Sequence, residues 1–459
     1  MTTTDLPASL VPAPRAPGGL PGVGHLRQLL VDPTRFLTRL PSYGDLVEIR
    51  LGPRPTYVVC SPELVREILV SRHRDFDKGG PFFDNISVFF GDGLATCPNA
   101  KHTRLRRLTQ PAFHPSKLPG YAELAGREIT AVTREWREGQ VLDVRRLMQE
   151  LAMRITVSTM LASWFDGTGA DADTVRRTLG DVDVLVSCAF LRMVAPGITR
   201  LPLPANRRYT QARDSLYAHI DATVAAYRRA GTDQGDLLSM FLAEDGDGNA
   251  LSDTEVREQV MTMFIAGIST TAAMLAWTLY YLSLDDDLDA AVAAEAQKVC
   301  GGGPARHEHL PQLPNLMAVV TEAFRIRPSA WLFSRTSVTD TSLGRYRVPD
   351  GADILISPYI IHHRPDLFPD PDRFDPGRWS GDGRSWAKAE RAMAMVPFGT
   401  GFRKCVGHDF TVMNVMLSLA SVLADWKLTP ATSRPVTLIG RSIIEPRNLD
   451  LRLHRRQVP

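Results

Sequence analysis

The sequence predicts a mainly α fold with a small β region, in a single domain. Residues 99–300 read as helix after helix, with apolar side chains three and four apart and breaks near 115–119, 167–169, 196–204 and 245–249. Residues 259–284 contain no charged side chain, as expected of a helix buried on all sides. Alternating apolar residues are confined to two stretches, 45–60 and 335–358. A chain of 459 residues with 44% hydrophobic and 23% charged side chains belongs with globular proteins. That length allows several domains, but no repeat and no linker-like stretch divides it.

Taken in order, residues 1–30 form a Pro/Gly-rich lead-in, stiffened by Pro7, Pro12, Pro14, Pro17 and Pro21. Residues 31–459 form the single domain. Val47, Ile49 and Leu51, then Tyr57, Val58 and Val59, mark two strands. Ser61-Pro62-Glu63 opens a short helix that runs to about Val70, with proline in its first turn. Residues 79–98, rich in Gly, Phe and Asn, read as a long loop. Ser252-Asp253-Thr254-Glu255 is a capping-box pattern. In the helix it starts, Met263, Ala266, Gly267, Thr270 and Met274 share one face. A later helical tract ends at Arg327-Pro328, and strands follow with turns at Gly344 and Asp350-Gly351. A Pro/Asp/Arg-rich meander occupies 364–390. A last helix runs from near Val406 to Trp426, and a β-like tail closes the chain.

Composition excludes several functions. A formal net charge of +2 argues against a nucleic-acid partner. Five scattered cysteines (Cys60, Cys97, Cys188, Cys300, Cys405) read as reduced thiols, which points to a cytoplasmic protein. No basic segment followed by an apolar run opens the chain, so no signal peptide or membrane anchor is expected. The uncharged stretch 259–284 is long enough to span a bilayer. Its Thr262, Gly267, Ser269, Thr270, Thr271 and Thr278, without basic flanks, favour a core helix instead.

The chemistry concentrates at Phe398-Gly399-Thr400-Gly401-Phe402-Arg403-Lys404-Cys405-Val406-Gly407. Cys405 sits at a glycine turn, beside two cations and before a helix. The helix dipole and the cations both favour thiolate over thiol. Such a thiolate can ligate a metal or attack an electrophile, and the glycines let a flat group approach the backbone. The pattern Phe-x-x-Gly-x-Arg-x-Cys-x-Gly resembles the cytochrome P450 family of haem-thiolate monooxygenases. That resemblance implies a cytochrome P450-like fold and haem b (iron protoporphyrin IX), with Cys405 as the axial ligand of the iron. Phe398, Gly399, Arg403 and Gly407 would form the loop that carries it. His102 and Arg106 at i,i+4, with Arg335 and Arg403, would hold the haem propionates. Ala266 and Gly267 would lie close over the haem.

Where the family pattern is Ala-Gly-x-acid-Thr, this chain reads Ala266-Gly267-Ile268-Ser269-Thr270. Thr270 keeps the hydroxyl, but Ser269 replaces the acid and does not titrate near neutrality. Water or a substrate hydroxyl would then have to complete a proton relay through Ser269 and Thr270. Glu322 and Arg325 are i,i+3 neighbours on a helix, and the resemblance joins them to Arg373 in a buried charge network. Arg104 and Arg107 near Lys404 would form a basic patch for an acidic electron donor.

The resemblance further implies insertion of one oxygen atom from O2 into a hydrophobic small molecule, with electrons from a separate ferredoxin and its reductase. The wider chain, including 200–208 and 327–358, is similar to bacterial terpene oxidases of that family. A cyclic terpenoid is therefore the first expectation for the substrate, and a reduced polyketide the second. Apolar residues for its cavity are expected from Phe82, Phe83, Ile86, Val88, Phe89 and Phe90. Leu185, Val186, Phe190, Leu191, Met193 and Val194 form a second group, and 330–333 a third. Two other readings stay open at this point: a haem-thiolate enzyme of rearrangement, dehydration or peroxide chemistry, and a haem-binding sensor.

Overall fold

The computed structural model describes residues 9–79, 91–160, 172–194, 197, 201–231, 236–244, 248–380, 385–440 and 442–457. Residues 80–90 of the expected loop 79–98 and the break at 167–169 lie outside these residues, as do the side chains of Phe190, Met193 and Val194.

One helix organises the rest. Asp253–Leu282 starts on the predicted capping box: Ser252 accepts the Glu255 N–H, and the Glu255 carboxylate accepts the Ser252 N–H. Two otherwise orphaned helix donors are thereby satisfied. Length and apolarity would let this helix cross a membrane, but most of it is buried inside the protein. It packs on helices Val144–Met160 and His408–Asp425, and Trp277 Nε1 donates to Ile444 O at 3.1 Å. This core helix spans the site from end to end.

The main β region is a five-stranded sheet in the order Leu46–Leu51, Arg54–Val59, Asp353–Ile356, Phe333–Ser337, Phe76–Asp77. The first two strands form the predicted hairpin, with Leu46 opposite Val59. The second pairs in parallel with Asp353–Ile356, from the other predicted β stretch. Ser61 caps the next helix by accepting the Leu64 N–H at 3.3 Å, and the last turn of that segment is wound as π-helix over Glu67–Ser71. The lead-in, from Val11 onward, is tied to the five-stranded sheet by a bridge of Arg15 with Glu48 and to a separate hairpin, Thr341–Leu343 with Tyr346–Val348, by a bridge of Val11 with Tyr346.

Three expectations change. A short strand, Val141–Asp143, interrupts the helical half and pairs with Asp450–Arg455. The last helix starts at His408, two residues later than its apolar pattern suggests. Leu185, Val186 and Trp331 are core residues, not cavity wall.

Candidate active site

The cysteine loop is a tight return of the chain. Cys405 N–H donates to Phe398 O at 3.0 Å, and Gly399 N–H donates to Val396 O at 3.1 Å. Gly399 and Gly401 hold φ of 64° and 67°, where a side chain is strained. A Cβ on Gly401 would also stand 2.1 Å from Leu69 O, so this glycine is fixed by contact as well. Phe398 packs between Phe324 and the His408 ring. The return presents Cys405 to a cavity of ≈ 330 Å³. The sulfur's exposure is to that cavity.

A buried polar network holds the loop from behind. Arg325 and Glu322 are fully buried and paired twice, Nη2 to Oε1 at 2.7 Å and Nε to Oε2 at 2.9 Å. Arg325 Nη1 donates to His362 O and Pro371 O at 2.9 and 2.8 Å. Glu322 also accepts from Trp379 Nε1 at 2.8 Å and Arg378 Nε at 3.3 Å. The third member is therefore Arg378, not Arg373. Arg373 is exposed and contributes only its carbonyl, 3.2 Å from Arg325. The meander carries Pro-x-Arg-aromatic twice, at 371–374 and 376–379, and only the second copy turns its arginine inward.

The sequence reading missed His362. Its Nδ1 lies 3.0 Å from Arg325 O, and its Nε2 accepts the Val396 N–H at 2.9 Å. Neutral imidazole with the proton on Nδ1 satisfies both bonds. Burial, reinforced by Arg325, holds His362 down at about 3, so it stays neutral. One ring thus ties the Glu322 helix to the start of the cysteine loop.

The cavity wall gathers Cys405, Phe398, Gly399, Arg403 and Gly407 with Ala266, Gly267 and Thr270, and with His102, Arg106 and Arg335. Ser269 is buried but lies off the wall, and Met274 packs in the core. Gly267 faces Thr156 across the helix contact, where a Cβ would stand 3.4 Å from Thr156 Oγ1, an ordinary contact distance. Thr270 donates its hydroxyl proton back to Ala266 O, leaving oxygen lone pairs as acceptors. Ala330 and Phe333 line the cavity as expected.

Cations crowd one edge of this wall. Lys78, which the sequence reading also missed, is there with His102, Arg335 and Arg403. A lone lysine before a Gly-Gly pair carries no periodic signal. Burial, then the neighbouring Arg335 and Arg403, pushes the Lys78 ammonium well below its ordinary range. Burial and the same cations push His102 down to about 3, and burial with Arg403 pushes Arg335 down to about 9. Asp77 pairs with Arg403 at 3.3 Å, and Asn99 Oδ1 accepts from Arg403 at 2.7 Å. Even so, His102 Nδ1 and Arg403 Nη1 are buried with no hydrogen-bond partner among the described residues. Buried cations that repel one another, with donors left over, make a site for an anionic group.

Arg106 lies on the same wall and donates to Lys404 O and to Gln110 Oε1, so it also braces the cysteine loop. The expected basic patch is also thinner. Arg104 pairs with Glu255, and Lys404 pairs with Glu390; Arg107 is exposed. At Cys405 itself burial dominates and pushes the thiol up; the Gly407 N–H, Arg106 and Lys404 offset it only in part. Without a metal, the surroundings do not favour thiolate as the local cations alone would suggest; the proton would leave as a metal binds.

The Cytochrome P450 family model matches residues 14–451. The chain belongs to the cytochrome P450 family. It is similar to cyclooctatin synthase of Streptomyces melanosporofaciens, at 40% identity over 90% of each chain. It is also similar to pentalenene oxygenase of Streptomyces avermitilis, at 37% identity over 96% of this chain and 97% of the relative. The crystal structure of the cytochrome P450DA heme domain superposes with a TM-score of 0.86 at 26% identity, over 98% of this chain and 99% of that one. The chain is a cytochrome P450 monooxygenase that binds haem b and uses O2, a redox partner and a hydrophobic substrate. The cation edge fits the two haem carboxylates, and the glycine turn fits the flat macrocycle.

Proposed function

We propose that this P450 oxygenates a cyclic terpenoid, with Cys405 as the residue that would ligate the haem iron. One observation carries the ligand assignment: the cysteine that the loop offers lies on the wall of the same cavity as the cation edge. The terpenoid reading rests on the relatives, which include pentalenene oxygenase and cyclooctat-9-en-7-ol 5-monooxygenase, and on the apolar wall around Met160, Leu237, Met263 and Phe333.

Bound in this site, haem supplies reductive activation of O2 and transfer of one oxygen atom to a C–H bond. The residues divide the remaining work. Lys78, His102, Arg335 and Arg403 would hold the propionates. Gly399 and Gly407 would leave room for the macrocycle against the loop, and Phe398 would screen the sulfur. Ala266 and Gly267 would let the macrocycle approach the core helix. Thr270 Oγ1, its proton given to Ala266 O, accepts a hydrogen bond from a water or a substrate hydroxyl and holds it in place. Ser269 lies behind that point and passes protons only through an intervening water. The electron donor is an acidic ferredoxin served by its reductase, docking on the Cys405 side beside Arg107. The protein acts in the cytoplasm.

The test is the optical spectrum of the reduced, carbon monoxide-bound holoprotein, with labelled O2 turnover on a cyclic sesquiterpene and diterpene panel. Wild type should give the red-shifted band of thiolate ligation, and Cys405→Ala should lose it. One labelled oxygen per product is expected. A wild-type band at the position for nitrogen ligation overturns the ligand assignment, and turnover confined to non-terpenoid probes overturns the substrate class.

A further inference from the structure

We propose that the substrate already carries an oxygen substituent, a hydroxyl or a ketone, and that Thr262 is the residue that holds it. This deepens the small-molecule reading above and rests on that cavity being the substrate site.

Thr262 lies on the core helix and on the cavity wall, and only 6% of it is exposed. Its neighbours show what a buried helical threonine ordinarily does. Thr156, Thr270 and Thr278 each donate to the carbonyl four residues back. Thr262 makes no such bond, and its Oγ1 has no partner among the described residues. The carbonyl it would use, Glu258 O, is covered by Gly93: a Cβ there would stand 2.7 Å from that oxygen and 2.0 Å from Thr262 Oγ1. Gly93 therefore has to be glycine for the segment to seat against this hydroxyl.

A second unpaired group lies one turn earlier. Gln259 is fully buried, and its Oε1 accepts the Leu94 N–H at 3.1 Å, which fixes the amide. Its Nε2 is then left without a partner among the described residues. Residues i and i+3 share a helix face, so the two unpaired groups are neighbours. One is a pure donor and the other both donates and accepts. Of the two, Thr262 is the one on the cavity wall, so a substrate oxygen there would complete it. A buried polar group left open beside a cavity is where a ligand can supply the partner.

The placement also orients the substrate. Thr262 precedes Thr270 by eight residues, about 12 Å along a helix. The oxygen substituent would sit at one end of the ring system, and the carbon to be oxidised would lie at the other, toward Thr270 and Cys405. The reaction that supplies the substrate must then be an oxygenation, or a cyclisation ended by capture of water. It cannot be one that ends in a bare hydrocarbon.

Optical titration of the ferric holoprotein tests this with two probe sets: α-cedrene against cedrol, and cyclododecane against cyclododecanol and cyclododecanone. Wild type should bind the oxygenated members about tenfold more tightly, the worth of one good hydrogen bond. Thr262→Val should reduce that preference to less than about twofold by weakening only the oxygenated members, and Thr262→Ser should keep it. The alcohol and the ketone of the twelve-membered ring tell the two substituents apart. A preference shown by that ring set alone leaves Thr262 in its role and removes the terpenoid reading. Equal binding of hydrocarbons and oxygenated probes, a preference unchanged in Thr262→Val, or no binding of any oxygenated probe overturns the inference.

Discussion

Behind the cysteine loop, Glu322, Arg325 and His362 have partners for all their buried polar atoms. On the cavity side, Gln259, Thr262, His102 and Arg403 each keep one buried polar atom with none among the described residues. Both regions are deep in the protein. The difference is in what completes them. A network closed by protein atoms alone fixes its shape before any ligand arrives. One left open costs free energy until a ligand closes it. The first region is scaffold, and the second is the side that receives haem and substrate.

The largest effect should come from breaking the closed side. Glu322→Ala leaves Arg325 buried, charged and without its paired carboxylate, and should cost about 3–5 kcal/mol in denaturant unfolding. A loss below about 1 kcal/mol would mean that the network is not the scaffold. Opening the cation edge should act in the opposite sense on the apoprotein. Arg335→Leu removes one of several mutually repelling cations, so the apoprotein should be no less stable, while haem should transfer to apomyoglobin about tenfold faster. Equal haem retention would detach this edge from the propionates.

A third test is the pH dependence of His362. Its ordinary value is about 6.5 and its folded value is about 3, so the unfolded chain takes the proton first. Its contribution is present above about pH 6.5 and is lost as the pH falls toward 3, by up to about 1.4 kcal/mol per pH unit. His362→Gln should flatten the fall in urea midpoint between pH 7 and 5 relative to wild type. An unchanged slope would remove His362 from the network. His102, also held near 3, faces the cation edge, so adding haem should change its share and leave that of His362 alone.

Much of this was legible from residues near one another in the chain. The capping box, the uncharged core helix and the glycine turn before Cys405 are local patterns, and each formed where the pattern lies. Glu322 and Arg325 were legible for the same reason, being one helical turn apart. Their third partner was not, because two copies of Pro-x-Arg-aromatic lie five residues apart and nothing local separates Arg373 from Arg378. The strand Val141–Asp143 escaped because three residues give no alternation to read, and its partner is the far end of the chain.

The sequence by itself determined the mainly α fold, the core helix and the cysteine loop, since periodicity and backbone conformation are set within a few residues. Tertiary structure decided which arginine closes the network, that Lys78 joins the cation edge, and that burial outweighs the local cations at Cys405. These outcomes depend on desolvation and on charges brought from separate segments. Neither exists until the chain is folded.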